Sequence, residues 1–198
     1  MRLKRRLEAR GPSPSFRELA VAAGVSLPTL QHYFGDRAGV LAAVFAAHLD
    51  AGSAAGGPLE MARSADLPFA RSVPALLEFI ATGLRDAGLA ATHTMGLAEG
   101  LRDVRAAGAY LHGALDPTFA AVAHRLAAHQ ARGEMRSDIT AAHAAVILVA
   151  PLLLAVLHQD ALGGRDHAPL DLTAFTASHS AGFVRAYRLD ADTEKVTA

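Results

Sequence analysis

The chain carries ten histidines and no cysteine, so imidazole is the side chain best placed for acid–base or metal chemistry near neutral pH. The spacing argues against both. No two histidines lie three or four residues apart, so no helix face presents a ligand pair, and H-E-x-x-H is absent. The G-x-S-x-G elbow, the P-loop and the G-x-G-x-x-G fingerprint are absent too. Serine, histidine and aspartate occur along the chain without a catalytic spacing. The expectation is a protein that is not an enzyme and uses no cofactor or metal.

The second chemical feature is charge placement. Net charge is zero over 198 residues. Residues 1–50 nevertheless hold seven Lys/Arg against four Asp/Glu, leaving twelve against fifteen for residues 51–198. Arg2, Lys4, Arg5, Arg6 and Arg10 crowd the first ten positions against Glu8 alone. A basic end on a neutral protein suits a polyanionic partner at that end.

The elements that would position such a partner follow the basic end. Ser15 and Glu18 form an S-x-x-E capping box. Leu19, Ala20 and Ala23 recur at helical spacing, and Gly24 ends the pattern. Ser26 can cap a second helix with Pro28 in its first turn. That helix runs to Phe34, and Asp36 after Gly35 can cap a third, running to about Leu49. Two short helices joined by a glycine turn make a helix-turn-helix unit, whose second helix enters the DNA major groove.

The stretch AAGVSLPTLQHYFGDRAGVL resembles the DNA-binding signature of the TetR family of bacterial regulators, with residues 11–47 carrying the match. The resemblance implies an all-α homodimer. Residues 1–50 would be the helix-turn-helix DNA-binding domain and residues 51–198 the ligand-binding and dimerisation domain. Operator DNA is the implied partner, released when a small-molecule effector binds. On the same resemblance Leu27, Pro28, Thr29 and His32 face bases. Thr29 can bond a base edge or phosphate, and Leu27 can pack on a thymine methyl. Tyr33 and Arg37 would reach phosphate, as could Ser15 and Arg17 at the preceding helix start. Val25, Leu30 and Phe34 read as core. Two departures stand out. Gln31, which can still reach adenine or phosphate, occupies a position that is usually tyrosine, and the first helix, within residues 2–10, is short, with Leu3 and Leu7 on one face. The small domain's core is therefore thin.

Beyond residue 50, DAGSAAGGP reads as a connection. A short helix is possible around Leu59–Ser64. Ser72-Val73-Pro74 reads as a cap-then-proline start of a helix to about Ala87. Another helix is expected over Thr92–Ala106, and Asp116-Pro117 reads as the start of one to Arg132. Thr140 should cap an apolar helix to Leu162, kinked at Pro151, and Asp171 a last helix to about Leu189. The run Ala141–Leu157 is 17 residues long and contains His143 and Pro151, the lower limit for a bilayer span. A buried subunit interface fits it better, so no membrane partner is expected. The last two long helices would form the homodimer contact. Phe79, Met95, Leu111, Phe119 and Leu153 are the candidates for lining an effector pocket. The reading is a cytoplasmic ligand-responsive repressor. Its alternative is a helix-turn-helix derivative that binds ligand or protein and no longer an operator.

Overall fold

Ser15, Ser26 and Asp36 each cap a helix through their own side chains. In the computed structural model, which describes residues 2–8, 14–85 and 89–189, the Ser15 hydroxyl accepts from the Glu18 amide and the Glu18 carboxylate accepts from the Ser15 amide at 2.7 Å. This completes the capping box of α2 (Phe16–Ala23). Gly24 takes φ 75°, the left-handed turn that a side chain resists. Ser26 caps α3 (Leu27–Phe34), and Asp36 caps α4 (Arg37–Ser53). A short α1 (Arg2–Glu8) packs on α2. Gly11-Pro12-Ser13-Pro14, which the sequence marks as a turn leading into Ser15, lies mostly outside the described residues, as do Gly88 and the tail from Asp190.

Among the described residues eight further α-helices follow. They are α5 (Pro58–Arg63), α6 (Phe69–Arg85), α7 (Leu89–Gly100), α8 (Val104–Tyr110), α9 (Asp116–Ala131), α10 (Ala141–Val156), a short α11 (Gly164–His167) and α12 (Leu172–Tyr187). Thr140 and Asp171 cap α10 and α12 as expected. The molecule is all-α, with an N-terminal helix-turn-helix unit and a C-terminal helical domain.

Four boundaries differ from the sequence reading, each for a physical reason. The fourth helix runs on to Ser53, so half of the small-residue connection is helical. Helix α6 starts at Phe69, three residues before Ser72, because the Phe69 amide donates to Glu134 at 3.1 Å. That carboxylate caps the helix from 65 residues away. Ser72 is then buried and Pro74 lies inside the helix. The helix expected over Thr92–Ala106 breaks at Leu101–Asp103, and Asp103 caps α8 through two amides. Helix α9 begins at Asp116 as expected, but Asp116 is its first residue and not its cap. A π turn at Leu111–Leu115 carries α8 directly into α9. Its longer hydrogen-bond step accommodates the amide that Pro117 lacks. The Thr118 hydroxyl donates to the Ala114 carbonyl at 2.9 Å. A second π turn at Leu157–Ala161 extends α10.

Two apolar cores result among the described residues. The larger holds Leu76, Leu77, Val122, Leu126, Leu148 and Leu152 from α6, α9 and α10, closed by Phe183 of α12. Helix α10 with its π turn is apolar and long enough to cross a membrane, yet it packs on α9, α6 and α12. The smaller core holds Leu19, Leu30, Val40, Leu41 and Phe45, together with Met95, Ala106, Tyr110 and Ala114 from α7 to the π turn. The thin N-terminal core is thus completed by the C-terminal helices. Close approach makes the joint tight: a Cβ on Gly113 would sit 2.9 Å from the Phe45 backbone carbonyl oxygen.

His93 and Tyr110 share a 2.9 Å hydrogen bond in this joint. Burial drives the His93 imidazole down to about 4 and the Tyr110 phenol up to about 12. His93 is therefore neutral when folded. Its contribution is complete above the unfolded value near 6.5 and is lost as pH falls from there to about 4, about 3 kcal/mol in total. Urea unfolding at pH 7.5 and pH 4.5 is expected to show that loss, and His93→Gln should flatten it. Gly113→Ala, which no rotamer change can relieve, is expected to cost about 2 kcal/mol by the same measurement.

Candidate nucleic-acid interface

Helix α3 turns about 100° per residue, and its burial follows that period. Leu30 is buried, while Leu27 and Phe34 are half-buried against the smaller core. Pro28, Thr29, Gln31, His32 and Tyr33 are exposed. Pro28, Thr29 and His32 form the centre of the outer face, flanked by Gln31 and Tyr33. Leu27, expected to face bases, spends part of its surface on the core. Val25, expected in the core, is 40% exposed.

The cap of α3 also orients its chemistry. The Ser26 hydroxyl accepts from the Thr29 amide at 3.2 Å and lies 2.7 Å from the Thr29 hydroxyl. This fixes the Thr29 side chain while leaving it exposed. The His32 and Tyr33 rings meet edge to face at 5.3 Å. Ser15 and Arg17 are exposed at the start of α2. Hydrogen bonds from the Ser15 backbone and hydroxyl region hold the Glu18 carboxyl below its usual range.

Arg37 is placed differently from what the resemblance implies. Its Nε donates to the Pro14 carbonyl at 2.9 Å. Its two terminal nitrogens fork onto Glu99 of α7, one of them at 2.5 Å. The Glu99 side chain is only 5% exposed. Its hydrogen bonds raise the Arg37 guanidinium above its ordinary value. Next to it, Asp36 pairs with Arg105 of α8. Glu99 and Arg105 were missed by sequence reasoning, since each partner lies more than 60 positions away.

One other cluster has the outward form of a catalytic site. His129 Nε2 lies 2.9 Å from the Ser72 hydroxyl and Nδ1 lies 2.6 Å from Glu134. Ser72 and His129 are both fully buried. The Ser72 oxygen also accepts from Arg125 at 3.0 Å, and Arg125 donates further to the Met61 and Ala62 carbonyls. No substrate could reach this serine. The network instead ties α5, α6 and α9 together. Among the described residues no group of three metal-ligating side chains comes together.

The five candidate pocket residues are dispersed. Met95 belongs to the smaller core, while Phe119 and Leu153 border the larger. Phe79 is half-buried and Leu111 is exposed on the first π turn. None lines the groove of about 520 Å³ between α6 and α12, whose walls include Glu78, Thr82, Arg85, Thr176 and Ser180.

The described structure thus joins an N-terminal helix-turn-helix unit, with the outer face of its second helix exposed and largely polar, to a helical C-terminal domain. Comparison with known proteins bears on the same point. No family model matches the sequence, and no curated protein matches it either. Solved structures do. A Mesorhizobium loti protein assigned to the TetR family of transcriptional regulators superposes with a TM-score of 0.72 at 16% identity, covering 94% of this chain and 93% of that one. A Rhodococcus protein with the same assignment gives 0.63 at 17% identity, over 93% and 94%. GusR of Salmonella enterica gives 0.57 at 19% identity, over 93% and 94%. The chain has the fold of TetR-family regulators along almost its whole length.

Ser26→Ala should remove the α3 cap and cost about 1 kcal/mol. Chemical denaturation followed by circular dichroism measures it, and Ser26→Asp is expected to retain most of the stability.

Proposed function

We propose that the protein is a TetR-family regulator that binds operator DNA as a homodimer and responds to a small-molecule effector. The carrying observation is the outer face of α3, where polar side chains stand exposed on a helix whose other face is anchored in the core. Thr29, His32 and Gln31 supply base-edge donors and acceptors, with Pro28 and the exposed part of Leu27 adding apolar contact. Ser15, Arg17, Tyr33 and the α2 N-terminus supply phosphate contacts. The basic first helix adds sequence-independent attraction.

Residues 1–50 serve DNA and residues 51–198 serve sensing and pairing. Val146, Ile147 and Leu154 are exposed on α10, and Ala174, Ala177, Ser178 and Ala181 are exposed on α12. Exposed apolar side chains on one helix and small residues on another suit close helix packing against a second copy. Phe79, Met95, Leu111, Phe119 and Leu153 are the first positions to substitute in seeking the effector. A cytoplasmic repressor released by its effector is the mode this architecture best supports. The effector must bind the DNA-competent and incompetent geometries unequally, or it shifts nothing.

Fluorescence anisotropy with the DNA flanking the protein's own gene tests the reading. Tight binding at about 50 mM salt that weakens steeply toward 200 mM is expected. Absence of binding at low salt would instead favour a helix-turn-helix derivative devoted to ligand or protein contacts. Thr29→Ala should relax choice at one base pair by about 1–3 kcal/mol, whereas Arg17→Ala should weaken all sequences alike. Light scattering should report a dimer, and Ile147→Asp with Leu154→Asp should yield monomers.

A further inference from the structure

Arg37 joins three parts of the molecule through one guanidinium. It opens α4, it bonds the carbonyl of Pro14 immediately before the cap of α2, and it grips Glu99 at the end of α7. A carboxylate as buried as Glu99 is costly unless paired, and the forked arrangement is the strongest pairing open to it. Beside it the charges are reversed, with Asp36 accepting from Arg105 at the start of α8. Adjacent residues of opposite sign thus meet two partners of opposite sign. A slip that exchanged partners would bring like charges together, so the two pairs fix register as well as distance.

We propose that Glu99 is a positioning residue for DNA binding. Through Arg37 it sets the helix-turn-helix unit at one angle to the C-terminal helices. The proposal rests on reading α3 as the DNA-facing helix. It assigns Arg37 to the protein side of the interface: Nε and both terminal nitrogens are directed at Pro14 and Glu99, so the guanidinium orients the helices that hold the phosphate contacts. Movement at the end of α7 would then be transmitted to α2 and α4 together, because the same side chain holds both.

The test compares Glu99→Gln, Arg37→Gln and the double variant. In the free proteins, amide hydrogen exchange over residues 16–34 is expected to quicken about tenfold in each single variant and no further in the double, with α12 unchanged. Affinity for a random-sequence duplex should fall about tenfold in all three variants, with the salt slope unchanged. A slope reduced by about 1 in Arg37→Gln would show a direct phosphate contact and overturn the assignment. Tighter binding by Glu99→Gln would show that Glu99 masks Arg37, and would overturn it equally. Unchanged exchange over residues 16–34 would also sink it. If the unsubstituted protein fails to bind duplex, the DNA reading falls, while the exchange comparison still decides whether Glu99 positions these helices. Should Glu99→Gln not fold, Arg37→Lys, which keeps the charge and loses the fork, is expected to show the same pattern.

Discussion

Leu19, Leu30, Val40, Leu41 and Phe45 do not close a core among themselves. Met95, Ala106, Tyr110 and Ala114 complete it from the C-terminal helices. The cause lies in the lengths of α1, α2 and α3, which span 7, 8 and 8 residues. Such short helices carry too few large apolar side chains to bury one another. A fully buried aromatic contributes about 1.5–3 kcal/mol, so Phe45 against Tyr110 is a substantial share of what holds the N-terminal unit in place. Interiors are close-packed and transmit strain. With Gly96 set against the Tyr110 ring and Gly113 against the Phe45 backbone, this joint has little slack.

Apolar packing fixes how close two elements lie but is tolerant of how they slide. Directional polar contacts remove that freedom, and the molecule uses an arginine for it twice. Arg37 and its neighbour Asp36 pin the N-terminal unit to α7 and α8. At the far end, Arg125 donates to the last carbonyls of α5, where a cation also suits the helix dipole. His129 and Glu134 extend that second network to the start of α6. Both arginines sit on a largely buried base, where losing one partner costs far more than at the surface.

How much was legible in the sequence follows from how far each interaction reaches. Ser15, Ser26, Asp36, Thr140 and Asp171 cap helices through neighbours two or three positions on, and each start was readable. The start of α6 was not, because its cap is Glu134. The Asp116-Pro117 pair carried a correct local signal, and the π turn before it absorbed that signal into a continuous helix. The outer face of α3 was read from the resemblance; Pro28, Thr29 and His32 stand exposed there, while Leu27 is half-buried. The direction taken by Arg37 was not, since nothing local distinguishes a guanidinium aimed at phosphate from one aimed at a carboxylate 62 positions away.

Helix α10 is apolar on more than the face it buries. Its buried face, with Leu148 and Leu152, packs against α9 and α6. Val146, Ile147 and Leu154 are left exposed on the opposite face. A helix apolar all round is otherwise found inside a large core or a membrane. Here a second copy would supply the missing cover, and the pairing would set the distance between two α3 helices. The angle of α3 within one subunit would be a separate matter, set on the proposed reading by the joint around Phe45 and by the charges at Asp36 and Arg37. On the proposed reading, half-site spacing would depend on both. An effector among the C-terminal helices could therefore alter DNA affinity by disturbing either one, and a change at α7 would need no change at the subunit contact.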